Sequence, residues 1–157
     1  MRIAFVGGGT AGHVQPILAI YEELKRARPE SAVLFFTRKD GAECAPLSAL
    51  GEKTVALTVK GLSRRHPMQN RTLPHTLRLA KETATTELRA FSPDLVFSTG
   101  GYVGYPVLSA AKKLGIPIVL HESNAAPGLV IRLFAKRAAV TLLGFASAKD
   151  RLPKKAK

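Results

Sequence analysis

The 157-residue sequence contains a single cysteine, few aromatic side chains and no long apolar run. One cysteine, Cys44, cannot form an internal disulfide, and we expect a small buried side chain in a protein of a reducing compartment. No apolar stretch approaches the roughly 20 residues that a membrane-spanning helix requires, so we expect no such helix. The length corresponds to one domain, and a hydrophobic content of 46% allows a sizeable core.

Acidic residues are also scarce. Eleven Asp and Glu stand against 24 Lys and Arg, which gives a formal net charge of +13. Such an excess favours a polyanionic partner, whether nucleic acid, an anionic membrane surface or a phosphorylated substrate, and a merely solvated basic surface is the alternative. Aromatic residues make up only 6%, and no recognition helix or RNP-like aromatic pair is recognisable, so no nucleic acid is expected as a partner. The sequence also has no metal-ligand spacing, no Gly-x-Ser-x-Gly elbow and no Walker loop, and we expect neither a metal nor a cofactor.

Apolar strand-like runs alternate with amphipathic stretches along the whole chain. The predicted strands are 3–6, 32–36, 54–59, 94–98, 116–120 and 140–143, and the predicted helices are 14–28, 42–50, 73–91, 103–114 and 129–137, with 61–71 as a loop. Pro16 is expected in the first turn of its helix, and Thr72 as the cap of the 73–91 helix. The alternation predicts a Rossmann-like, doubly wound α/β domain whose mainly parallel sheet has about six strands. The domain is expected to span residues 1–146, and 147–157 to be a frayed basic tail or the start of a linker.

Three loops follow predicted strands of this sheet: residues 7–13, 98–106 and 121–128. In a doubly wound sheet, ligands bind beyond the carboxyl ends of the strands, and each of these loops leads into a helix N-terminus that favours anions. A single glycine loop is equally consistent with a tight turn that needs positive φ. Three such loops at one edge favour a phosphate-rich ligand.

The glycines of the first loop also fit another class of protein. Gly7, Gly9 and Gly12 match the dinucleotide fingerprint G-x-G-x-x-G. An NAD-binding domain would carry an acidic residue after the second strand, where this chain has Thr37, Arg38 and Lys39. An NAD(P)-binding domain is therefore the weaker alternative.

Two histidines and one acid lie in these loops. His13 follows the first glycine loop at a helix start, where the positive end of the helix dipole favours the neutral imidazole that a general base requires; a structural donor is the alternative. His121 ends a strand and is expected to orient a loop through hydrogen bonds. Glu122 is expected to cap the following helix, and orienting His13 is its second possible role.

A basic surface is predicted from the 60–71 segment and the helix that follows it. Arginines alternate there with apolar side chains, and the residues assigned to a membrane-contacting surface are Leu62, Arg64, Arg65, Met68, Arg71, Arg78 and Leu79. Further cations, Arg132, Lys136 and Arg137, follow the fifth strand. This mixture suits an anionic bilayer surface better than a nucleic acid duplex, and a solvated face is the alternative.

With these motifs in hand, the chain resembles the N-terminal domain of the MurG family of glycosyltransferases from residue 1 to about residue 145. The resemblance rests on the GGTAGH segment 8–13 with Pro16, on Gly61-Leu62, on RAFSPD at 89–94, on GGYV at 100–103, and on His121-Glu122 with Asn124, Pro127, Gly128 and Leu129. It implies one half of a GT-B fold in an enzyme that transfers N-acetylglucosamine from UDP-GlcNAc to lipid I, giving lipid II for peptidoglycan. It also implies that the transfer of N-acetylglucosamine inverts the anomeric configuration and does not depend on a metal, and this is the reaction that we expect.

The resemblance assigns roles residue by residue. His13 corresponds to a proposed catalytic histidine; Thr10, Ala11, Gly12 and Asn124 to donor- or diphosphate-binding positions; and Gly100, Gly101, Tyr102 and Glu122 to the acceptor side. The partners it implies are lipid I, an anionic membrane surface, and a C-terminal donor-binding domain in cis or in trans. It implies a peripheral protein on the cytoplasmic face of the plasma membrane.

The chain departs from the family in three small ways and one large one. Ala11 replaces the usual glycine, Ser123 the usual glutamine, and Gly104-Tyr105 the common Ser-Gly pair. The sequence ends where the family's linker would enter the second domain, so we expect an excised domain or the acceptor subunit of a split transferase, inactive alone. A non-catalytic lipid- or membrane-binding module is the second expectation.

Overall fold

A computed structural model of the chain describes residues 1–8, 11–41, 44–61 and 67–156. The strands are β1 (Arg2–Val6), β2 (Ala32–Arg38), β3 (Lys53–Leu57), β4 (Leu95–Ser98), β5 (Ile118–Glu122) and β6 (Val140–Leu143). The α-helices are α1 (Ala11–Ala27), α2 (Cys44–Ser48), α3 (Leu73–Phe91), α4 (Gly104–Leu114) and α5 (Leu129–Phe134), and two 3-10 helices span Pro67–Thr72 and Ala146–Arg151.

The described strands form a single six-stranded sheet in the order β3-β2-β1-β4-β5-β6. Every neighbouring pair is parallel, with Phe5 opposite Phe35 on one side and Phe97 on the other. The strand order reverses between β1 and β4, so the loops after these two strands flank the topological switch point. The predicted Rossmann-like, doubly wound fold is confirmed, and its ligand crevice is expected beside β1 and β4.

Alternate residues of the strands build two separate cores, one on each face of the sheet. Phe5, Phe35 and Phe97 pack with the buried side of α1 on one face. The neighbouring Val6, Phe36 and Val96 pack on the other face, under α3, α4 and α5. Strands buried on both faces explain the near-continuous apolar runs in the sequence.

Several local predictions differ from the structure. Helix α1 begins at Ala11, so Pro16 lies inside it rather than in its first turn, and the carbonyl of Gly12 loses its intrahelical N–H donor. Thr72 precedes α3 but makes no side-chain cap, because it is the last residue of the 3-10 helix and lies in the αR region (φ −85°, ψ −9°). Cys44 is half-buried rather than fully buried.

The C-terminal segment, predicted as a basic tail or the start of a linker, contains a short helix. Its 3-10 helix, Ala146–Arg151, buries Ala148 completely. Leu152 and Ala156 pack against the core that underlies α3 to α5. The apolar side chains of Ala148, Leu152 and Ala156, which lie between cationic residues in the sequence, anchor the segment to the domain. Among the described residues, no helix is both long and apolar enough to cross a bilayer.

Candidate functional site

The loops after β1 and β4 pack against each other at the carboxyl edge of the sheet. Gly101 has φ +74°, and a Cβ built on it would lie 2.2 Å from the carbonyl oxygen of Gly8. A Cβ at Gly7 would lie 2.1 Å from Oγ1 of Thr99. Since real Cβ atoms do not approach other atoms so closely, these two glycines are required for the contact between the loops.

His13 lies in the first turn of α1 and is held by the β4 loop. The hydroxyl of Thr99 donates a 2.6 Å hydrogen bond to the carbonyl oxygen of His13. A Cβ at Gly100 would lie 3.8 Å from Cδ2 of the His13 ring and 3.2 Å from Cγ1 of Ile131 in α5. Gly100 therefore lies between the start of α1 and the side of α5, and elements that follow three different strands converge on it.

Glu122 is a buried carboxylate at the end of β5, 3% exposed. Its Oε1 accepts hydrogen bonds from the backbone N–H and the side-chain amide of Asn124, both 2.8 Å long. Its Oε2 accepts from the backbone N–H of Gly128, the N-cap residue of α5, also at 2.8 Å. The predicted capping role is confirmed, and the carboxylate fixes the whole 122–128 loop and the orientation of Asn124.

Tyr102 faces the β2 side of the site. Its hydroxyl accepts a 2.8 Å hydrogen bond from Nη1 of Arg38, and the guanidinium lies 5.9 Å from the ring centroid. The ring also packs over Gly61, where an added Cβ would lie 3.4 Å from Cδ1. Tyr102 and Glu122 therefore occupy different parts of the edge, each with its own supporting residues.

The side chain of His121 makes different contacts from those predicted. Its ring stacks on Phe97 with the centroids 6.2 Å apart, and in the described part of the chain its Nδ1 is buried without a hydrogen-bond partner. The expectation that it orients a loop through hydrogen bonds is wrong, because its side chain turns to the opposite face of the sheet from Glu122. Burial lowers the pKa of His121, and the charge of Glu122 opposes that shift.

The predicted membrane-contact residues that the structure describes are all on the surface. Met68 is 69% exposed and Leu79 is 49% exposed, and Arg71 and Arg78 are also exposed. Arg78 forms a 3.0 Å ion pair with Glu82 one turn further along α3. The exposure of Leu79 shows that it lies off the apolar stripe of α3, as its position in the sequence predicts.

Some predicted site residues cannot be placed. Thr10, Leu62, Arg64 and Arg65 lie outside the described residues, as does the side chain of Ala11. Gly12 is exposed in the first turn of α1, and Asn124 is exposed above the end of β5.

Two residues at the site were not singled out from the sequence. Thr99 fixes the start of α1, and the only sequence signal for it was its place in the loop after β4. Arg38 reaches Tyr102 because β2 continues two residues beyond the predicted end, so that Arg38 pairs with Leu57 in the sheet register. A contact between residues 64 positions apart has no local signal in the sequence.

Residues 3–142 match the glycosyltransferase family 28 N-terminal domain. The chain is 41% identical over 159 residues to a UDP-N-acetylglucosamine–N-acetylmuramyl-(pentapeptide) pyrophosphoryl-undecaprenol N-acetylglucosamine transferase of Moorella thermoacetica, which covers 100% of this chain and 42% of the relative. The protein of the same name from Lactococcus lactis subsp. lactis is 36% identical over 153 residues, covering 98% and 43%. The chain thus spans less than half the length of these curated relatives.

A solved structure supports the same relationship. The crystal structure of Acinetobacter baumannii MurG superimposes with a TM-score of 0.84 and 26% identity, over 99% of this chain and 44% of that one. The matched portion covers all six strands of the sheet and the loops of the candidate site.

Proposed function

This chain belongs to the glycosyltransferase family 28 N-terminal domains, and we propose that it forms the acceptor-side half of an inverting N-acetylglucosaminyltransferase of peptidoglycan synthesis. The proposed enzyme transfers N-acetylglucosamine from UDP-GlcNAc to lipid I and produces lipid II. The names of the curated relatives support this donor and this lipid-linked acceptor. Because the chain belongs to a glycosyltransferase family, we do not propose an NAD(P)-dependent enzyme.

The convergence of α1, the loop after β4 and α5 on Gly100 is the observation that carries the proposal. The ring of His13, the backbone of the β4 loop and Ile131 of α5 meet there without any side chain at position 100. Glycine at these positions lets the loops and the start of α1 pack in direct contact, and free main-chain N–H groups at a helix start favour a ligand's phosphates. We expect the diphosphate of the substrates to lie at the N-termini of α1 and α4, near Thr10, Ala11, Gly12 and Asn124. At the N-terminus of α5, the N–H of Gly128 already donates to the Glu122 carboxylate.

The proposed chemistry needs one base. A neutral His13 accepts the proton of the acceptor sugar hydroxyl while that oxygen forms a bond to the anomeric carbon of GlcNAc. The bond from this carbon to the UDP oxygen breaks, and UDP leaves with the bonding electron pair. Attack from the face opposite the leaving group inverts the configuration. Preorganised N–H groups at the helix ends stabilise the charge that develops on the diphosphate.

The acceptor side of the proposed site consists of the loop after β4 together with the ends of β2 and β5. Gly100, Gly101 and Tyr102 form the floor, and Arg38 holds the Tyr102 hydroxyl. Glu122 acts by positioning, because its two oxygens bind Asn124 and Gly128.

Association with a membrane completes the proposal. Met68 and Leu79 expose apolar surface beside Arg71 and Arg78, a composition suited to the boundary between anionic headgroups and acyl chains. A lipid-linked acceptor and this surface together favour a peripheral position on the cytoplasmic face of the plasma membrane. They are also what a non-catalytic lipid-binding module would show, which makes such a module the second candidate function.

The test is a transfer assay with radiolabelled UDP-GlcNAc and a lipid I analogue, using this chain alone, a separately produced C-terminal half of a relative, and both together. We expect transfer only with both, because the chain spans 42% of the relative's length and the family resemblance implies that most contacts to the donor nucleotide lie in the C-terminal half. Robust transfer by the chain alone would contradict its role as an acceptor half. The absence of transfer in all three samples, with folded proteins that bind vesicles, would favour the lipid-binding module.

A further inference from the structure

The carboxyl end of β2 brings a guanidinium to the acceptor side of the proposed site. Side chains alternate along a strand, so Arg38 shares the sheet face of Leu34 and Phe36, which are buried in the core beneath α3 and α4. Tyr102 packs against the same core from the loop after β4. The face that is apolar in the middle of the sheet therefore ends, at its edge, in a pair formed by Arg38 and Tyr102.

The backbone of Arg38 is held on both sides. Arg38 pairs with Leu57 in the sheet register, and the N–H of the next residue, Lys39, donates a 2.8 Å hydrogen bond to the carbonyl oxygen of Leu57. The carbonyl oxygen of Arg38 accepts a 3.1 Å hydrogen bond from the N–H of Gly41, which closes the turn after β2. Because strand and turn both fix this position, the guanidinium approaches Tyr102 from a rigid base.

The hydrogen bond between the two side chains has only one possible direction. A guanidinium carries N–H donors and no acceptor, so Nη1 of Arg38 donates and the Tyr102 oxygen accepts, at 2.8 Å. The phenol has a single O–H donor, and its proton therefore points to a partner other than Arg38. Tyr21 shows the opposite arrangement, since its hydroxyl donates to Oε1 of Glu52 at 3.2 Å. Arg38 thus sets Tyr102 as a donor.

Charge and packing strengthen this arrangement. The side chains of Arg38 and Tyr102 are both half-buried, and the guanidinium carbon lies 5.9 Å from the ring centroid. A positive charge beside a phenol oxygen polarises its O–H bond and makes it a stronger donor. The ring also packs over Gly61, where a built Cβ would lie 3.4 Å from Cδ1. The position of the hydroxyl is therefore fixed before a ligand binds.

We propose that Arg38 is a positioning residue for the acceptor, and that it fixes the Tyr102 hydroxyl as a hydrogen-bond donor to an acceptor oxygen that carries no proton, such as a phosphate or carbonyl oxygen. The inference deepens the proposed function and rests on it for the assignment of Tyr102 to the acceptor side. Arg38 acts through Tyr102 and makes no contact of its own with the acceptor. A ligand that presents a donor at the same place is disfavoured, because two donors would face each other.

A double-mutant cycle on the 157-residue chain tests this dependence. Calorimetry measures the affinity for a soluble lipid I analogue of the native chain, Arg38→Gln, Tyr102→Phe and the double variant. We expect each single substitution to weaken binding by about tenfold, the effect of losing one strong hydrogen bond, and the double variant to bind within about twofold of Tyr102→Phe. Losses that multiply to about a hundredfold would overturn the proposal, because Arg38 would then act independently of Tyr102.

The matched control is Arg26→Gln, which removes the same charge from the end of α1, where Arg26 forms an exposed ion pair with Glu23. We expect this control to change the affinity by less than about twofold. In the chain with ¹³C-labelled tyrosine, the Cζ resonance of Tyr102 reports the hydrogen bond directly. It is expected to move in Arg38→Gln while the resonance of Tyr21 stays in place, which also shows that the variant is folded. An unmoved Tyr102 resonance would contradict the pair.

Steady-state kinetics of the reconstituted two-half enzyme separates a positioning role from a general disturbance of the site. We expect Arg38→Gln to raise KM for the acceptor by about tenfold and to leave KM for UDP-GlcNAc within about twofold of the native value. Equal rises in both KM values would overturn the positioning role. Transfer by the native pair with an unchanged acceptor KM in Arg38→Gln would reject the role of Arg38 and leave the proposed function standing. The absence of acceptor binding and of transfer by the native proteins would reject both.

Discussion

Gly101 shows how one residue can set the geometry of a whole site. Its backbone adopts φ +74°, where side chains are strained, and the carbonyl of Gly8 fills the position that a Cβ would need. Positive φ and close approach are separate requirements, and only the second depends on tertiary structure. Gly115 is a reference position for the first requirement alone, because it has φ +71° and no atom of the described residues beyond its neighbours lies within 4 Å of a built Cβ.

We predict that Gly101→Ala lowers the free energy of unfolding by about 1 kcal/mol or more beyond the loss caused by Gly115→Ala. Both substitutions introduce backbone strain, but only Gly101→Ala forces the loops after β1 and β4 apart. Urea unfolding of the two variants and the native chain measures the difference. Equal losses would mean that the two loops do not need their close contact.

His13 is the residue that we expect to be the general base. In the reconstituted two-half enzyme, His13→Ala is predicted to lower kcat by about a hundredfold or more, since general-base catalysis contributes about that factor. Steady-state kinetics with a soluble lipid I analogue measures the effect, and His75→Ala, on the exposed start of α3, is the control. A loss of less than threefold for His13→Ala would exclude this role.

At the scale of elements, α5 depends on a carboxylate outside it. Helix α5 has only six residues and no side chain of its own at the N-cap, which is Gly128. Oε2 of Glu122, at the end of β5, accepts the hydrogen bond of Gly128's own N–H, and Oε1 binds Asn124. Strand, loop and helix are therefore one hydrogen-bonded unit around a buried charge.

We predict that Glu122→Gln lowers the free energy of unfolding by about 1–3 kcal/mol, because an amide nitrogen would face N–H groups that now donate to an oxygen. The matched control is Glu82→Gln, whose exposed ion pair with Arg78 is expected to contribute less than about 1 kcal/mol. Chemical denaturation of both variants gives the comparison. Equal stability of the Glu122→Gln variant and the native chain would show that the loop does not rely on the carboxylate.

At the scale of the whole molecule, part of the basic excess lies beside exposed apolar side chains. Arg71 and Arg78 lie beside the exposed side chains of Met68 and Leu79, on the first turns of α3 and the 3-10 helix before it. A charge excess spread evenly would favour only solubility, whereas cations grouped with apolar groups favour a bilayer surface.

We predict that Met68→Gln with Leu79→Gln reduces binding to phosphatidylglycerol vesicles by about tenfold, because apolar area no longer enters the acyl boundary. Leu142→Gln with Phe145→Gln is the control, since both of these side chains are exposed apolar groups on or after β6. Co-sedimentation at fixed salt compares the two pairs without changing net charge. The same loss for both pairs would contradict a defined membrane surface.

The sequence by itself determined the fold class and the edge of the sheet at which the site lies. Runs of apolar residues and the helical periodicities between them are local properties, and they predicted six strands, β6 with its observed bounds and the loops after β1, β4 and β5. The bounds of α1 and the cap at Thr72 were wrong: α1 begins at Ala11, and Thr72 ends a 3-10 helix in the αR region, which does not allow the extended backbone of a side-chain cap.

Only the tertiary structure decided which side chains meet. Arg38 reaches Tyr102 and Thr99 holds His13 across 64 and 86 positions of sequence. The burial of His121 on the face opposite Glu122 depends on the strand's pleat and on Phe97 of the adjacent strand. Such contacts depend on packing between distant segments, and residue patterns along the chain carry no information about the side chains that lie opposite.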